Sequence, residues 1–247
     1  MQSDPIIRLT DVSSVFIDER GHSERALNHV SFDVLRGEFL SIIGPSGCGK
    51  STLLRLIAGV IPTHDGTIER KYTKLAMVFQ NYGIFPWLTV AENVAFGLTM
   101  AGVSKDIRHT VVKMKLHEVG LQGHERSYPG ELSGGQRQRV GVARALAVNP
   151  DVLLMDEPFS NLDAGTSESL KLDLLALWEK YRMTVVLVSH LAEDAAELSD
   201  RVIVMTPRPG TIKKIERVAL TRPRPARGAA VHDFADRLVR EATYTTS

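Results

Sequence analysis

Residues Gly44-Pro45-Ser46-Gly47-Cys48-Gly49-Lys50-Ser51 fit the pattern G-x-x-x-x-G-K-[ST], and they stand between an apolar run over 39–43 and a helix-like segment over 50–58. This arrangement restricts the fold more than any other feature, because a glycine loop joining a strand to a helix N-terminus builds a cradle for phosphate. Glycines let the backbone come close to an anion, and loop N–H groups surround it together with the positive end of the helix. In such a loop Lys50 neutralises charge on the β- and γ-phosphates and the Ser51 hydroxyl ligates Mg²⁺. Gly44, Pro45, Ser46, Gly47, Cys48, Gly49, Lys50, Ser51 and the following Thr52 are therefore expected to hold a nucleotide. Cys48 occupies one of the free positions, where a small filler suffices. A glycine-rich turn is the plainer alternative.

The surrounding pattern indicates which sheet carries the loop. Strands are expected over 6–16, 27–35, 39–43, 66–70, 75–79, 152–155, 184–188 and 201–205, with turn signals over 18–23 and at Arg36-Gly37. Helices are expected over 50–58, from the Thr89-Val-Ala-Glu92 capping box toward residue 101, from Ser104 to near Gly120, over 133–147, from an Asp163 cap toward Tyr181, over 191–198 and near 234–242. Strands alternating with helices imply an α/β fold with a mostly parallel sheet behind a β-rich N-terminal patch. Between Pro207 and Arg240 nine Lys or Arg face three Asp or Glu, which reads as a connector and a packed tail.

Composition narrows the function classes. The 247 residues carry 30 Lys plus Arg against 29 Asp plus Glu, a net charge of +1, which argues against a dedicated nucleic-acid binder. A lone cysteine allows no intramolecular disulfide and suits a reducing compartment. No secretory leader is visible, and no apolar run approaches the roughly 20 residues a membrane-spanning helix needs. The expected address is the cytoplasm, with any membrane role passing through a partner.

A second acidic motif follows at a distance. The apolar run over 152–155 ends in Asp156 and Glu157, placing two carboxylates at the carboxyl edge of a parallel sheet, where α/β proteins bind ligands. Asp156 suits the Mg²⁺ site and Glu157 suits orienting the attacking water. Upstream, Ser133-Gly134-Gly135-Gln136 has capping-box spacing, and a helix start is its simplest meaning. An exposed helix N-terminus preceded by Ser and Gly is also an anion site.

Together, Leu132-Ser133-Gly134-Gly135-Gln136-Arg-Gln-Arg-Val, the phosphate loop and Asp156-Glu157-Pro158 resemble the signature of the ATP-binding cassette (ABC) ATPases. The resemblance runs from Ile7 to about Ile215 and implies a P-loop ABC-type core with a mixed sheet, an N-terminal antiparallel β subdomain and an inserted helical subdomain. It places the nucleotide-binding domain over 6–220, the helical subdomain at about 91–147 and a short tail over 221–247. It also implies ATP and Mg²⁺ as ligands. Ser133, Gly134, Gly135 and Gln136 then meet the γ-phosphate held by a second ATPase subunit in a homodimer. Gln80 resembles the Q-loop glutamine that touches Mg²⁺ and water, and Ser160 to Asp163 the D-loop at the dimer interface. His190 resembles the switch histidine, and Phe16 is the candidate adenine platform, with a core position as its alternative.

Two further stretches, Phe85-Pro86-Trp87-Leu88-Thr89-Val90 and Met205-Thr206-Pro207-Arg208-Pro209-Gly210-Thr211-Ile212, are similar to ATPase subunits of nitrate, sulfonate and taurine importers. That branch implies two membrane permease subunits and, indirectly, a solute-binding protein, with the ATPase peripheral on the cytoplasmic face of the cell membrane. An exporter or a lipid-transfer ATPase would carry the same energy-converting residues; a soluble non-transport cassette, the other alternative, normally shows a second cassette or a long coiled coil between the phosphate loop and the signature, and neither is present in this sequence. The aromatics from Tyr82 to Trp87 suit gripping a partner helix, and packing within the helical subdomain is their other reading.

Overall fold

The computed structural model describes residues 4–17, 23–225 and 228–243. Residues 18–22 of the turn expected over 18–23, and residues 226–227 and 244–247 of the expected tail, lie outside the described residues. The chain forms two compact units, Met1–Tyr72 with Thr184–Ser247, and Thr73–Met183.

The first unit holds two sheets. β1 (Pro5–Ile17) and β2 (Ser23–Leu35) pair antiparallel, and β4 (Asp65–Arg70) lines up on the other side of β1. The second sheet runs through β3 (Phe39–Ile43), flanked in parallel by β7 (Thr184–Ser189) and β8 (Arg201–Met205), with antiparallel β9 (Ile212–Arg217) beside β8. Every residue of β3 and β7 is buried, as expected of parallel strands covered on both faces. Helix α1 (Lys50–Ala58) stops where Gly59 turns left-handed at φ 73°. There Gly59 N donates to Leu56 O and Val60 N to Arg55 O, a glycine C-cap.

Helix α6 (Ala192–Leu198) and helix α7 (Ala229–Thr243) close one face of this unit. Val231, Phe234, Ala235 and Leu238 of α7 pack with Ala192, Ala195 and Ala196 of α6 and Val202 and Val204 of β8. Buried Arg224 ties the intervening strap down by donating to the carbonyls of Ala196, Ser199, Val218 and Leu220. Burial, followed by the neighbouring charge of Arg222, pushes its pKa down to about 10, so it stays charged at neutral pH.

In the second unit β5 (Leu75–Val78) and β6 (Val152–Asp156) run parallel, with Val78 beside Met155. Helices α2 (Val90–Met100), α3 (Lys105–Glu118) and α4 (Gly134–Ala147) pack on one another, and α5 (Ala164–Tyr181) follows β6. Thr89 and Ser133 open α2 and α4 with reciprocal capping boxes, and Asp163 caps α5. Most element bounds agree with the sequence reading within one or two residues. β2 begins earlier than expected, α7 begins at Ala229, and β9 stands where a connector was expected. β9 is a charged edge strand bearing Lys213, Lys214, Glu216 and Arg217, so it shows no apolar run.

Candidate functional site

In the first unit β3 delivers the glycine loop at its carboxyl end. Helix α1 opens on Gly49 at φ 101°, an N-cap residue that has no side chain with which to cap the helix, as suits a helix start that meets an anion. Gly47, at φ 78° and exposed, has nothing within 4 Å of where a Cβ would stand, so the tip of the loop is open. Gly49 is closely packed instead, and a Cβ there would lie 2.7 Å from Leu27 Cδ2 and 2.9 Å from Ala26 O. Lys50 is only 5% exposed, and its Nζ donates to Gly44 O at 2.8 Å and Pro45 O at 3.1 Å. Its ammonium is thus folded over the loop. Thr52 is buried and Ser51 is half-buried. Cys48 is buried, and burial pushes its thiol pKa up.

His190 leaves the neighbouring strand at the same edge, because Ile43 and Ser189, the residues just before Gly44 and His190, are register partners. The turn at His190 is fastened from below. Ser189 Oγ donates to buried Asp194 Oδ2 at 2.9 Å and accepts from Leu191 N at 3.0 Å. His190 itself is exposed. Phe16, on β1 opposite Glu24, is 39% exposed, so the core alternative for it does not hold.

In the second unit Gln80, Glu157, Ser160 and Asn161 come together. Gln80 Nε2 makes long contacts to Glu157 Oε2 (3.4 Å) and Ser160 Oγ (3.5 Å), Ser160 Oγ donates to Glu157 O (3.0 Å), and Asn161 Nδ2 donates to Gln80 O (3.3 Å). Glu157 sits in the left-handed region at φ 46°, a conformation that non-glycine residues hold only under constraint, while Asp156 is buried at the strand end. Asp163 accepts from Thr166 Oγ1 (2.6 Å) and Thr166 N (3.0 Å), which hold its carboxyl below the usual range.

The start of α4 lies against the same loop. Ser133 Oγ accepts from Gln136 N (3.2 Å) and Gln136 Oε1 accepts from Ser133 N (2.9 Å). A Cβ on Gly135 would stand 2.3 Å from Thr166 Cγ2, and one on Gly134 would stand 3.2 Å from Tyr82 Oη. The two glycines therefore let the signature turn approach residues 161–166 of the same unit. Sequence reasoning missed Asp194, Thr166 and Tyr82 as supports of these turns. For Thr166 the Asp163 cap three residues earlier was the available signal; for Asp194 and Tyr82 there was none.

A family model described as ABC transporter matches residues 27–160. The chain is 44% identical over 225 residues to an uncharacterized ABC transporter ATP-binding protein of Methanocaldococcus jannaschii, covering 88% of this chain and 84% of that one. It is 43% identical over 215 residues to a nitrate import ATP-binding protein of Synechocystis sp., covering 84% and 80%. Against a taurine import ATP-binding protein of Escherichia coli the identity is 42% over 219 residues, covering 86% and 84%. Among solved structures, a dimeric post-hydrolysis state of an ATP-binding cassette bound to ADP and Pi aligns with TM-score 0.77 and 31% identity, over 87% of this chain and 100% of that one.

Proposed function

The chain belongs to the ABC transporter family, and from that premise we propose that it is the ATP-hydrolysing subunit of an importer, energising uptake of a small anionic solute of the nitrate, sulfonate or taurine kind through a separate membrane permease. The ATPase activity comes with the family. The observation that carries the importer reading is the 42–43% identity, over at least four fifths of each chain, to ATP-binding proteins named for nitrate and taurine import.

The residues present fit Mg²⁺·ATP. The glycine-capped start of α1, the open tip at Gly47 and the ammonium of Lys50 suit an anion cradle. The Ser51 hydroxyl, the Gln80 amide and the Asp156 carboxylate are hard oxygen donors of the kind Mg²⁺ selects, and among the described residues no cluster of three or more His, Cys, Asp or Glu forms an all-protein cage. Mg²⁺, which keeps waters and substrate phosphates as ligands, needs no such cage, and when bound it neutralises charge on the β- and γ-phosphates.

In this reading Gly44 to Thr52 bind the phosphate chain and Lys50 swings from its loop carbonyls to the phosphates. Phe16, with its ring at the surface, stacks on adenine. Glu157 accepts a hydrogen bond from the attacking water, Gln80 orients that water, and His190 contacts the γ-phosphate. Ser133, Gly134, Gly135 and Gln136 complete the site of a second copy, and Asp163 lies at the contact between copies. Nucleotide shared by two cassettes stabilises the closed dimer, and hydrolysis releases it. Opening and closing then drive two permease subunits, fed by a solute-binding protein on the far side. No described helix is long and apolar enough to cross a membrane. In this reading the permease holds the ATPase peripherally on the cytoplasmic face of the cell membrane.

The test is transport. The chain is reconstituted in liposomes with its cognate permease and solute-binding protein, and uptake of labelled taurine and of nitrate is measured. ATP-dependent uptake of an anion of this class that fails with Lys50→Ala is the expected result. ATP-dependent movement only in the export direction, or uptake indifferent to Lys50→Ala, overturns the reading.

A further inference from the structure

The motif Met205 to Ile212 has no part in the chemistry above, yet it touches the phosphate loop. Gly210 is buried, and a Cβ built on it would stand 2.0 Å from Cys48 O, 3.2 Å from Cys48 C and 2.8 Å from Met205 Cε. Its φ is not in the left-handed region, so close approach alone demands glycine here. The hairpin cannot simply lift away. Gly210 N donates to Ala26 O at 2.9 Å and Gly210 O accepts from Asn28 N at 3.0 Å, making a bridge with Leu27 of β2. Thr206 N donates to Thr211 O, Thr211 N donates to Thr206 Oγ1, and the two hydroxyls share a 2.9 Å hydrogen bond, which locks the turn.

The same stretch of β2 presses on the other end of the loop, since Ala26 O and Leu27 Cδ2 leave no room for a side chain on Gly49. The hairpin also reaches the strand opposite Phe16. Arg208 Nη1 lies 2.8 Å from Glu24 Oε1, and Glu24 is the register partner of Phe16. Residues 206–211, β2 and residues 48–49 thus form one backbone-to-backbone stack.

We propose that Gly210 is a positioning residue of the nucleotide site: packed on the Cys48 carbonyl and anchored to β2, it sets the height of the phosphate loop. The proposal rests on the reading of Gly44 to Ser51 as the phosphate cradle. An ordinary C···O contact is about 3.3 Å, so an alanine at 210 drives the Cys48 carbonyl back by about 1.3 Å. A displacement of about 1 Å is enough to lower a site's performance by about a hundredfold.

The experiment measures binding of a fluorescent N-methylanthraniloyl-ADP and the rate at which N-ethylmaleimide labels Cys48, the chain's sole thiol, in protein checked as folded by circular dichroism. Gly210→Ala is expected to weaken ADP binding at least tenfold and to speed Cys48 labelling at least tenfold. Thr206→Val with Thr211→Val, which loosens the hairpin without adding bulk, moves both in the same direction by about threefold, and it decides the matter if Gly210→Ala does not fold. Lys50→Ala is run alongside. Wild-type ADP binding by Lys50→Ala defeats the phosphate-loop reading itself. Loss of binding in Lys50→Ala, with wild-type binding and labelling in the folded hairpin variants, overturns the positioning role alone.

Discussion

Glu118 closes a buried polar cluster joining the end of α3 to the end of α5, and its removal should be strongly destabilising. Lys115 is 3% exposed; its Nζ lies 3.1 Å from Glu118 Oε2, donates to Tyr181 Oη at 2.6 Å and sits 3.9 Å from the Tyr181 ring centroid. Glu118 Oε1 also accepts from Lys180 and from the Tyr181 hydroxyl. Glu118→Ala leaves the Lys115 ammonium buried without its counter-charge, a change that costs about 3–5 kcal/mol in comparable pairs. The remaining hydroxyl and ring retain part of that, so we expect a loss of about 2–4 kcal/mol. At about 2–4 °C per kcal/mol for a chain of this size, Tm falls by about 5–15 °C. Lys180 is exposed, and Lys180→Ala should leave Tm nearly unchanged. Lys115→Met combined with Glu118→Gln removes both charges and should recover most of the loss. Burial pushes the Glu118 carboxyl up, but hydrogen bonds from Lys180, Tyr181 and Lys115 outweigh it and hold it below the ordinary value. A carboxylate depressed in the fold stabilises fully above its unfolded pKa of about 4.3, and that contribution disappears as pH falls through the folded value. The gap in Tm between wild type and Glu118→Ala should therefore be constant from pH 8 to about 5 and shrink below about pH 4. Calorimetric scans across that range supply the measurement. A Glu118→Ala loss under about 1 kcal/mol, or a gap that widens in acid, would refute the reasoning.

Two other substitutions test local arguments. Ser133→Ala removes the cap of α4, so Tm should drop by the equivalent of about 1 kcal/mol and ATP turnover should fall with it; an unchanged Tm contradicts the cap, and unchanged turnover contradicts the role given to this helix start. Gln138, fully buried in α4, has neither amide atom bonded among the described residues, so Gln138→Met should raise Tm by the equivalent of about 1 kcal/mol in thermal melts, and a lowered Tm would show that the amide is bonded in the native protein.

Local chemistry made much of this molecule readable in advance. The glycine loop between β3 and α1, the caps at Thr89, Ser133 and Asp163, and the stop at Gly59 are short-range devices whose residues announce them, and the helices they bound stand where expected. What escaped depends on contacts between residues far apart in sequence. β9 owes its place to pairing with β8 while its own composition is that of a solvated connector. The left-handed turn at Glu157 is imposed on a residue with no intrinsic preference for it. The need for glycine at 210 arises from a carbonyl more than 160 residues earlier in the chain, and no pattern around Gly210 reveals it. In sequence Asp194 is one more acid on a short helix, and only its hydrogen bond from Ser189 places it under the His190 turn.

Glu157 carries the central chemical role proposed for this chain. Purified Glu157→Gln protein is mixed with Mg²⁺·ATP, its association state is read by size-exclusion chromatography with light scattering, and hydrolysis is followed in a single turnover. We predict retained ATP binding, accumulation of a dimer, and hydrolysis slowed at least a hundredfold, in line with the loss of a group acting on the attacking water. Turnover at the wild-type rate, with the protein monomeric in ATP, would contradict the account.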